Sequence, residues 1–259
     1  MIREGRVFAL LVIVLTYCLI YVYVRMAMGG KEIKARALPP LLAIPEAVGR
    51  CAEMGRPLVY TVGIGGTISS GSGPDILAGI TILGYTAREA AKRGVPLKFF
   101  TTTIDAAPLI EETLKSAYLA EGKSEEYKED TVELIANQSS LVSRYLGWIQ
   151  REMPASACMI GYLAYESVVL SEGGNTIGAM QISGTTNQYQ TPFLVASTDY
   201  TLIMEELWAA SAEISGDLYS IGALAGEDVL KFFILAIMGI GILLGLFGAS
   251  DFLINLLRM

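Results

Sequence analysis

Two long apolar segments bracket the chain, and they constrain its fold more than any other feature of the sequence. The first contains no charged residue from Val7 to Val24, and the second runs from Val229 to Gly248 with only Lys231 inside it. A helix of about 20 residues, at about 1.5 Å per residue, crosses the hydrocarbon of a bilayer. We therefore expect a transmembrane helix near each end of the sequence.

We interpret the first segment as an anchor that is not removed. A signal peptide has a shorter apolar region and ends in small residues. Here Tyr17, Tyr21 and Tyr23 lie toward the far end instead, as in the aromatic belt at a membrane surface. The segment is therefore expected to remain in the membrane.

The second segment carries a pattern of small residues. Gly241, Gly245 and Ala249 recur at every fourth position, which lets another helix approach closely. The alternative is that glycine is simply common in membrane helices. Lys231 lies near the start of this segment, where its long side chain can reach the headgroups.

The basic residues beside the two segments predict the orientation. Five of them lie at the ends that face the middle of the chain and three at the outer ends, which favours a cytoplasmic middle. Cys18, Cys51 and Cys158 show no metal-ligand or disulfide-framework spacing, which fits a reducing compartment. We expect a cell-membrane protein with two spans and a cytoplasmic domain. The five inner basic residues are Arg25, Lys31, Lys34, Arg36 and Lys231, and the outer three are Arg3, Arg6 and Arg258.

Composition excludes several classes of function. Charged residues make up 17% of the chain, against about 25% in a typical soluble domain. The net charge of −7 argues against a nucleic-acid partner. The absence of histidine excludes Ser-His-Asp and Cys-His catalysis and histidine metal cages. We expect no metal site, and the sequence assigns no cofactor.

Apolar, β-branched runs alternate with helical patterns between the two segments. This alternation predicts an α/β fold with a mostly parallel sheet and helices on both faces, bracketed by the two transmembrane helices. The expected strands are residues 57–62, 96–103, 156–161, 177–183 and 193–197, and the expected helices are 44–54, 75–92, 107–120, 137–152 and 201–214.

The sequence also predicts a division into four regions. These are an anchor at 1–28, a juxtamembrane stalk at 29–56, the α/β domain at 57–228, and a helix with an amphipathic tail at 229–259.

A glycine- and hydroxyl-rich loop from Gly63 to Asp75 follows the first expected strand. Such loops bind anions at the carboxyl ends of parallel strands. The dinucleotide signature G-x-G-x-x-G would need glycine where Ile68 stands, and no G-K-[ST] sequence precedes the helix. The loop is either an anion site or a structural loop at a subunit contact. Its candidate ligand-binding residues are Gly63, Gly65, Gly66, Thr67, Ser69 and Ser70.

Three acidic residues are candidates for a role in chemistry. Asp105 follows the second expected strand, where an acidic residue can bind ribose, although a turn or helix start is the simpler explanation. Glu166 and Asp199 could serve as acid–base groups, and Asp199 could instead cap the helix expected at 201–214. No nucleophile and base accompany them in the sequence, so no catalytic residue is assigned.

The stretch from Gly178 to Ser215, which begins G-A-M-Q-I-S-G-T-T-N-Q-Y-Q-T-P-F, resembles a family of uncharacterised, membrane-anchored prokaryotic proteins. The G-x-G-G-T loop and the flanking apolar segments are similar as well. This resemblance implies an integral-membrane protein from a prokaryote and implies no activity.

These observations favour an integral-membrane scaffold or assembly protein that associates with itself in the bilayer, with other membrane proteins as further candidate partners. The alternative is a membrane-anchored binding domain or enzyme for a nucleotide or another anionic small molecule. A subunit of a transport or electron-transfer complex is a third class, without a cofactor motif to support it.

Overall fold

The chain divides into two compact units. The computed structural model describes residues 7–30, 38–64 and 66–246. One unit consists of Met1–Arg36 with Gly216–Met259, and the other is Ala37–Ser215. The first unit contains both apolar segments, and the second contains the α/β domain.

The α/β unit alternates strands and helices along most of its length. Its strands are β1 (Leu58–Gly63), β2 (Leu97–Thr101), β3 (Val132–Leu134), β4 (Ser156–Tyr162), β5 (Met180–Thr185) and β6 (Tyr200–Ile203). Its helices are α2 (Pro39–Leu42), α3 (Ile44–Met54), α4 (Gly73–Arg93), α5 (Ala107–Ala120), α6 (Gln138–Glu152), α7 (Glu166–Thr176), α8 (Thr191–Ser197) and α9 (Glu206–Ser215). Two short 3-10 turns, Ser124–Glu126 and Glu129–Thr131, precede β3.

The strands form one parallel sheet in the order β3-β2-β1-β4-β5-β6. Apolar residues alternate between its faces, so that Tyr60 and Phe99 enter the core beneath α4 and α5 while Val59 and Phe100 enter the core beneath α6. Burial on both faces explains the continuous apolar strands. The predicted fold class, a parallel sheet covered by helices on both faces and bracketed by two apolar helices, is confirmed.

The chain winds outward in both directions from the centre of this sheet. From β1 it proceeds to β2 and β3 on one side, and from β4 to β5 and β6 on the other. The loops that follow β1 and β4 therefore diverge at the carboxyl ends of these two strands, which is where open α/β sheets bind ligands. This geometry positions the candidate site.

Two predicted elements have a different conformation in the structure, and helices α2 and α7 and strand β3 were not predicted. Residues 193–197 lie in helix α8 rather than in a strand, and residues 200–203 form β6 where a helix was expected. Pro192 lies in the first turn of α8, where proline is compatible with a helix. A short apolar run does not distinguish strand from helix by periodicity, and this is why the prediction was wrong here.

The segment expected to be a stalk joins the α/β unit from residue 38 onward. Helices α2 and α3 occupy it, and Ile44, Val48 and Cys51 are buried in the core. The burial of Cys51 also raises the pKa of its thiol. Residues 29–38 of the predicted stalk precede these helices, and 31–37 lie outside the described residues.

The membrane unit contains α1 (Val7–Met28) and α10 (Leu218–Leu246), both long and apolar enough to cross a bilayer. A Cβ added at Gly222 would lie 2.6 Å from the Val24 Cα, and one added at Gly226 would lie 2.9 Å from the Ile20 Cα. From the first contact to the second, the residue number increases by four in α10 and decreases by four in α1. The two helices are therefore antiparallel, and they contact each other at these glycines.

The glycines predicted to pack lie elsewhere on α10. A Cβ at Gly245 would meet no atom within 4 Å, and Ala249 lies outside the described residues. The contact between α1 and α10 therefore uses Gly222 and Gly226, another small pair at a spacing of four. A role for Gly241, Gly245 and Ala249 in contacts with a second copy stays a prediction.

Candidate functional site

The candidate site is the carboxyl edge of the sheet, where the loops after β1, β4 and β5 meet. The loop after β1 contains the glycines singled out in the sequence, of which Gly65 lies outside the described residues. Gly63 has a φ of +84°, and a Cβ there would lie 2.0 Å from the Tyr162 carbonyl oxygen. Glycine is needed at this position because the end of β1 passes directly against the end of β4.

Many polar groups of the glycine loop form hydrogen bonds with other groups of the same loop. The Ser70 hydroxyl donates to the Thr67 carbonyl over 2.7 Å and lies 2.6 Å from the Ser72 hydroxyl. Thr67 and Ser69 are exposed, and their hydroxyls lie 3.0 Å apart. Gly66 has a φ of +81°, and a Cβ there would lie within 2.8 Å of the Ser70 and Ser72 hydroxyls. The loop is therefore folded onto itself.

The backbone amides at the start of α4 are also occupied. The Gly73 N–H donates to the Ser70 carbonyl, and the amides of Asp75 and Ile76 both donate to the Ser72 carbonyl. Pro74 has no N–H to offer. A phosphate site at a helix N-terminus needs amides that point at the ligand without another acceptor. Here these amides already have protein acceptors.

Asp105 and the glycine loop come together, as their shared edge of the sheet implies. The Asp105 carboxylate accepts a hydrogen bond from the Ile68 N–H over 2.8 Å. This bond ties the loop after β2 to the loop after β1. The carboxylate that could have bound ribose thus already accepts a hydrogen bond from the protein.

Asp75 is a buried carboxylate in the first turn of α4, a position that favours negative charge. It accepts hydrogen bonds from the Thr186 hydroxyl and, over 3.0 Å, from the Trp208 indole N–H. Burial raises its pKa, and these two hydrogen bonds oppose the rise. Asp75 therefore joins α4 to the loop after β5 and to α9.

Glu166 is a second buried carboxylate, at the first residue of α7. It accepts from the Ala164 N–H over 2.9 Å and from the Gln138 side-chain amide over 2.8 Å. Burial raises its pKa, against the opposing effect of these donors. Asp199, the other acidic candidate, accepts from the Gln181 N–H over 2.7 Å and precedes β6 instead of capping a helix.

Asn187 joins the loops after β4 and β5. Its side-chain amide donates to the Leu163 carbonyl over 2.9 Å, and its own N–H donates to the Thr185 hydroxyl. Gln190, one turn further, accepts a hydrogen bond from the Ser167 hydroxyl. The two loops are thus fixed relative to each other before any ligand or partner arrives.

Large apolar side chains stand exposed around this network. Ile104 follows β2, Tyr165 follows β4, and Tyr189 and Phe193 follow β5. Each of these side chains is between 54% and 73% exposed. Because these strands are close neighbours in the sheet, the side chains line one edge across about 15 Å. We call this set the carboxyl-edge rim, and its members are Ile104, Tyr165, Tyr189 and Phe193.

Neither the burial of Asp75 nor the carboxyl-edge rim was predicted from the sequence. The signal for the rim is a large apolar residue placed shortly after a predicted strand, where turn residues usually prevail. For the part of the chain that the structure describes, no group of three or more Cys, Asp or Glu residues could hold a metal ion.

Comparison with known proteins gives one match. The family model described as "Domain of unknown function (DUF6754)" matches residues 1–255, in line with the resemblance read from the sequence. Searches among curated proteins and among solved structures found no match.

Proposed function

The chain belongs to the DUF6754 family, and from that premise we propose that it is an integral-membrane assembly protein. Helices α1 and α10 anchor it in the bilayer, and the α/β domain lies at the cytoplasmic face. Copies of the chain associate, and the carboxyl-edge rim is the surface through which the domains meet. The protein acts as a scaffold and performs no reaction of its own.

The observation that carries this proposal is the carboxyl-edge rim. Exposed apolar groups scattered singly are normal, but a set gathered on one edge marks an interaction surface. Tyr and Phe are enriched at the centres of protein interfaces because they bury a large apolar area. Tyr165, Tyr189 and Phe193 supply such groups. The hydrogen bonds beneath them keep the backbone of the surface rigid.

The closed glycine loop supports a surface rather than an anion pocket. Its helix amides and its Ser70 hydroxyl have acceptors inside the protein, and Asp105 holds the Ile68 N–H. An anion would have to displace these bonds, and it would approach two buried carboxylates at the same edge. Both effects oppose phosphate binding.

A cytoplasmic orientation is tested with a new cysteine, because Cys51 is buried and reacts poorly with a thiol reagent. Leu119 is 67% exposed on the α/β domain. In a Cys18→Ala background, we expect Leu119→Cys to resist a membrane-impermeant reagent in whole cells and to be labelled fully after lysis. Full labelling before lysis would reverse the orientation.

The rim is tested with the variant Tyr189→Ser/Phe193→Ser in the full-length chain. Removing aromatic anchors from the centre of an interface costs about 2 kcal/mol or more, so we expect self-association to weaken by about 30-fold or more. The measurement is the mass of particles in lipid nanodiscs across a dilution series. Leu119→Ser, an equally exposed leucine at the opposite edge of the sheet, is the matched control and should associate as the wild type does.

A second candidate function has one observation in its favour. Two buried carboxylates with raised pKa values, Asp75 and Glu166, lie at one edge of the sheet, as acid–base groups of enzymes often do. This candidate predicts that a nucleotide raises the melting temperature by several degrees and that Thr67→Ala/Ser69→Ala abolishes the rise. Our proposal predicts no nucleotide effect, and a rise of that kind would replace it.

A further inference from the structure

A gap lies beside the first residues of β2 at the amino edge of the sheet, the edge opposite the candidate site. Strand β2 begins at Leu97, but its neighbour β3 begins only at Val132, which pairs with Phe99. The outer side of Leu97 and Lys98 therefore has no strand beside it in the part of the chain that the structure describes. The turns that precede β3 and the C-terminal parts of α5 and α6 surround this space instead.

The space is a cavity of about 550 Å³. Small-molecule sites have volumes of about 300–1,000 Å³ and combine apolar and aromatic walls with a few polar groups. Here Val95, Pro96 and Leu97 supply apolar groups, and Trp148 supplies an aromatic ring. We call this space the amino-edge cavity, and its size and walls suit a small organic molecule.

Two hydroxyl groups line the floor of the cavity without a protein partner. Tyr118 is 4% exposed and Thr131 is 8% exposed, and neither hydroxyl has a hydrogen bond to another described residue. The enclosed side-chain atoms that lack a partner among the described residues belong to Thr103, Tyr145 and Gln181. The Tyr118 and Thr131 hydroxyls are not among them, so both reach the open space of the cavity.

A buried tyrosine hydroxyl normally has a hydrogen-bond partner. Burial raises the pKa of Tyr118, so its hydroxyl keeps its proton and can either donate or accept a hydrogen bond. The floor of the cavity therefore offers hydrogen bonds that the protein itself does not use.

Charged side chains stand at the mouth of the cavity, where the chain is exposed. The carboxylates of Asp130 and Glu152 have no ion pair or hydrogen bond with another described residue. Lys128 also lacks such a contact. The other lining cation, Lys98, donates to the Asp130 carbonyl and lies 3.3 Å from the Glu133 carboxylate. Two carboxylates and one ammonium thus remain available to a ligand.

We propose that the amino-edge cavity binds a small organic amine. The ammonium group of the ligand lies toward Asp130 and Glu152 at the mouth, and its apolar body lies against Trp148. A polar group at its other end forms hydrogen bonds with the hydroxyls of Tyr118 and Thr131. This site lies at the opposite edge of the sheet from the carboxyl-edge rim, so the inference does not depend on the assembly role.

The charges of the cavity favour a cation over an anion. An anion would meet the carboxylates of Asp130 and Glu152, and only the Lys128 ammonium would be free to attract it. Glu126, the remaining acidic residue of the lining, already lies 3.3 Å from the Lys123 ammonium. An ammonium group is attracted both by the free carboxylates and by the face of an indole ring.

Three phenols that differ in charge test the class of ligand. Tyramine has an ammonium at one end and a hydroxyl at the other, tyrosol is its neutral analogue, and 4-hydroxyphenylacetate is an anion of similar size. Titration calorimetry of the full-length chain in lipid nanodiscs, with empty nanodiscs as the blank, is the measurement. We expect one tyramine to bind per chain, and the other two phenols to bind more weakly by about tenfold or more. Equal affinity for all three, or no tyramine binding above the blank, would overturn the proposal.

Removing the two carboxylates at the mouth should weaken this binding. In Asp130→Asn/Glu152→Gln the side chains keep their size, and the Asp130 carbonyl that accepts from Lys98 remains. We expect the affinity for tyramine to fall by about tenfold. Glu129→Gln removes an exposed carboxylate that does not line the cavity and is the matched control. The same affinity in the double variant as in the control would contradict the role of these carboxylates.

The variant Tyr118→Phe distinguishes a binding role of the hydroxyl from a structural one. Because this hydroxyl has no protein partner, its loss should not lower the melting temperature, whereas tyramine binding should weaken by about fivefold. Tyr127→Phe is the control, since Tyr127 packs against the Tyr118 ring but does not line the cavity. A lower melting temperature with unchanged tyramine binding would show that the hydroxyl serves the fold, and it would overturn the assignment.

Discussion

Replacing Gly222 and Gly226 by leucine should separate α1 from α10. A Cβ at either position would lie less than 3.0 Å from a backbone atom of α1, so the backbones must move apart. Forcing large side chains into a packed contact costs about 1–3 kcal/mol per site. We expect the hairpin of Gly222→Leu/Gly226→Leu to open, because small residues are what permit close approach in a membrane.

Spin labels at Val14 and Phe232 measure this change in the Cys18→Ala background. Both side chains are exposed, and the hairpin register places them at the same depth. The parent should give one short, narrow distance distribution, and the leucine variant a longer and broader one. Labelled chains are diluted with unlabelled ones so that the distances come from single molecules. Gly239→Leu, where an added Cβ meets nothing within 4 Å, is the control. An unchanged distance in the double variant would contradict the close helix contact.

The Glu166→Gln variant should be more stable than the wild type at pH 8. Burial raises the pKa of Glu166, so keeping it charged in the folded protein costs free energy. Glutamine can still accept from the Ala164 N–H, and the Gln138 amide can turn to accept from the new side-chain amide. Each kcal/mol gained raises the melting temperature of a domain of this size by about 2–4 °C. We expect a rise of a few degrees.

The difference in stability between Glu166→Gln and the wild type should decrease as the pH falls. At a pH above the raised pKa, Glu166 is charged in the folded protein, and the full free-energy cost of burying that charge lowers the stability of the wild type. As the pH falls through that value toward the ordinary pKa of about 4.3, the folded wild type takes up its proton first and gains stability. The advantage of glutamine should therefore shrink from pH 8 toward pH 4. Chemical unfolding across this range is the measurement. Glu172→Gln, an exposed change on the same helix, is the control, and equal pH dependence in all three proteins would contradict the account.

The overall architecture could be predicted from the sequence because it depends on hydrophobic patterns that extend over many residues. The two long apolar segments predict helices α1 and α10, and continuous apolar strands flanked by helical periodicity predict the parallel sheet. Residues Leu58 to Gly63 and Ser156 to Tyr162 are strands close to the expected positions. The apolar, β-branched residues of these segments favour strands, and burial on both faces of the sheet favours the same residues, so the local and the tertiary preferences agree.

Short elements were beyond this kind of prediction. Strand β3 has three residues and lies among acidic turns, so neither period nor propensity marks it. Helix α8 has seven residues whose apolar content fits a strand equally well. For such segments, packing against neighbours decides the conformation, and one sequence does not reveal the neighbours.

The glycine loop and Asp105 do meet at the carboxyl edge, as the fold class implies. Their hydrogen bonds depend on side-chain geometry that the spacing of residues does not encode. The Gly222–Gly226 pair is visible in the sequence as two glycines four residues apart, but it lies before the apolar segment that begins at Val229. Helix α10 begins earlier than that segment, at Leu218.

The most direct test of the account is the mass of the wild-type particle excised from membranes together with its lipid. The chain has a mass of 27.8 kDa. Native mass spectrometry should give a protein mass that is a multiple of this value, at least two copies, with no second protein needed to hold them together. A single copy across the accessible concentrations would contradict the proposal that this protein assembles with itself in the membrane.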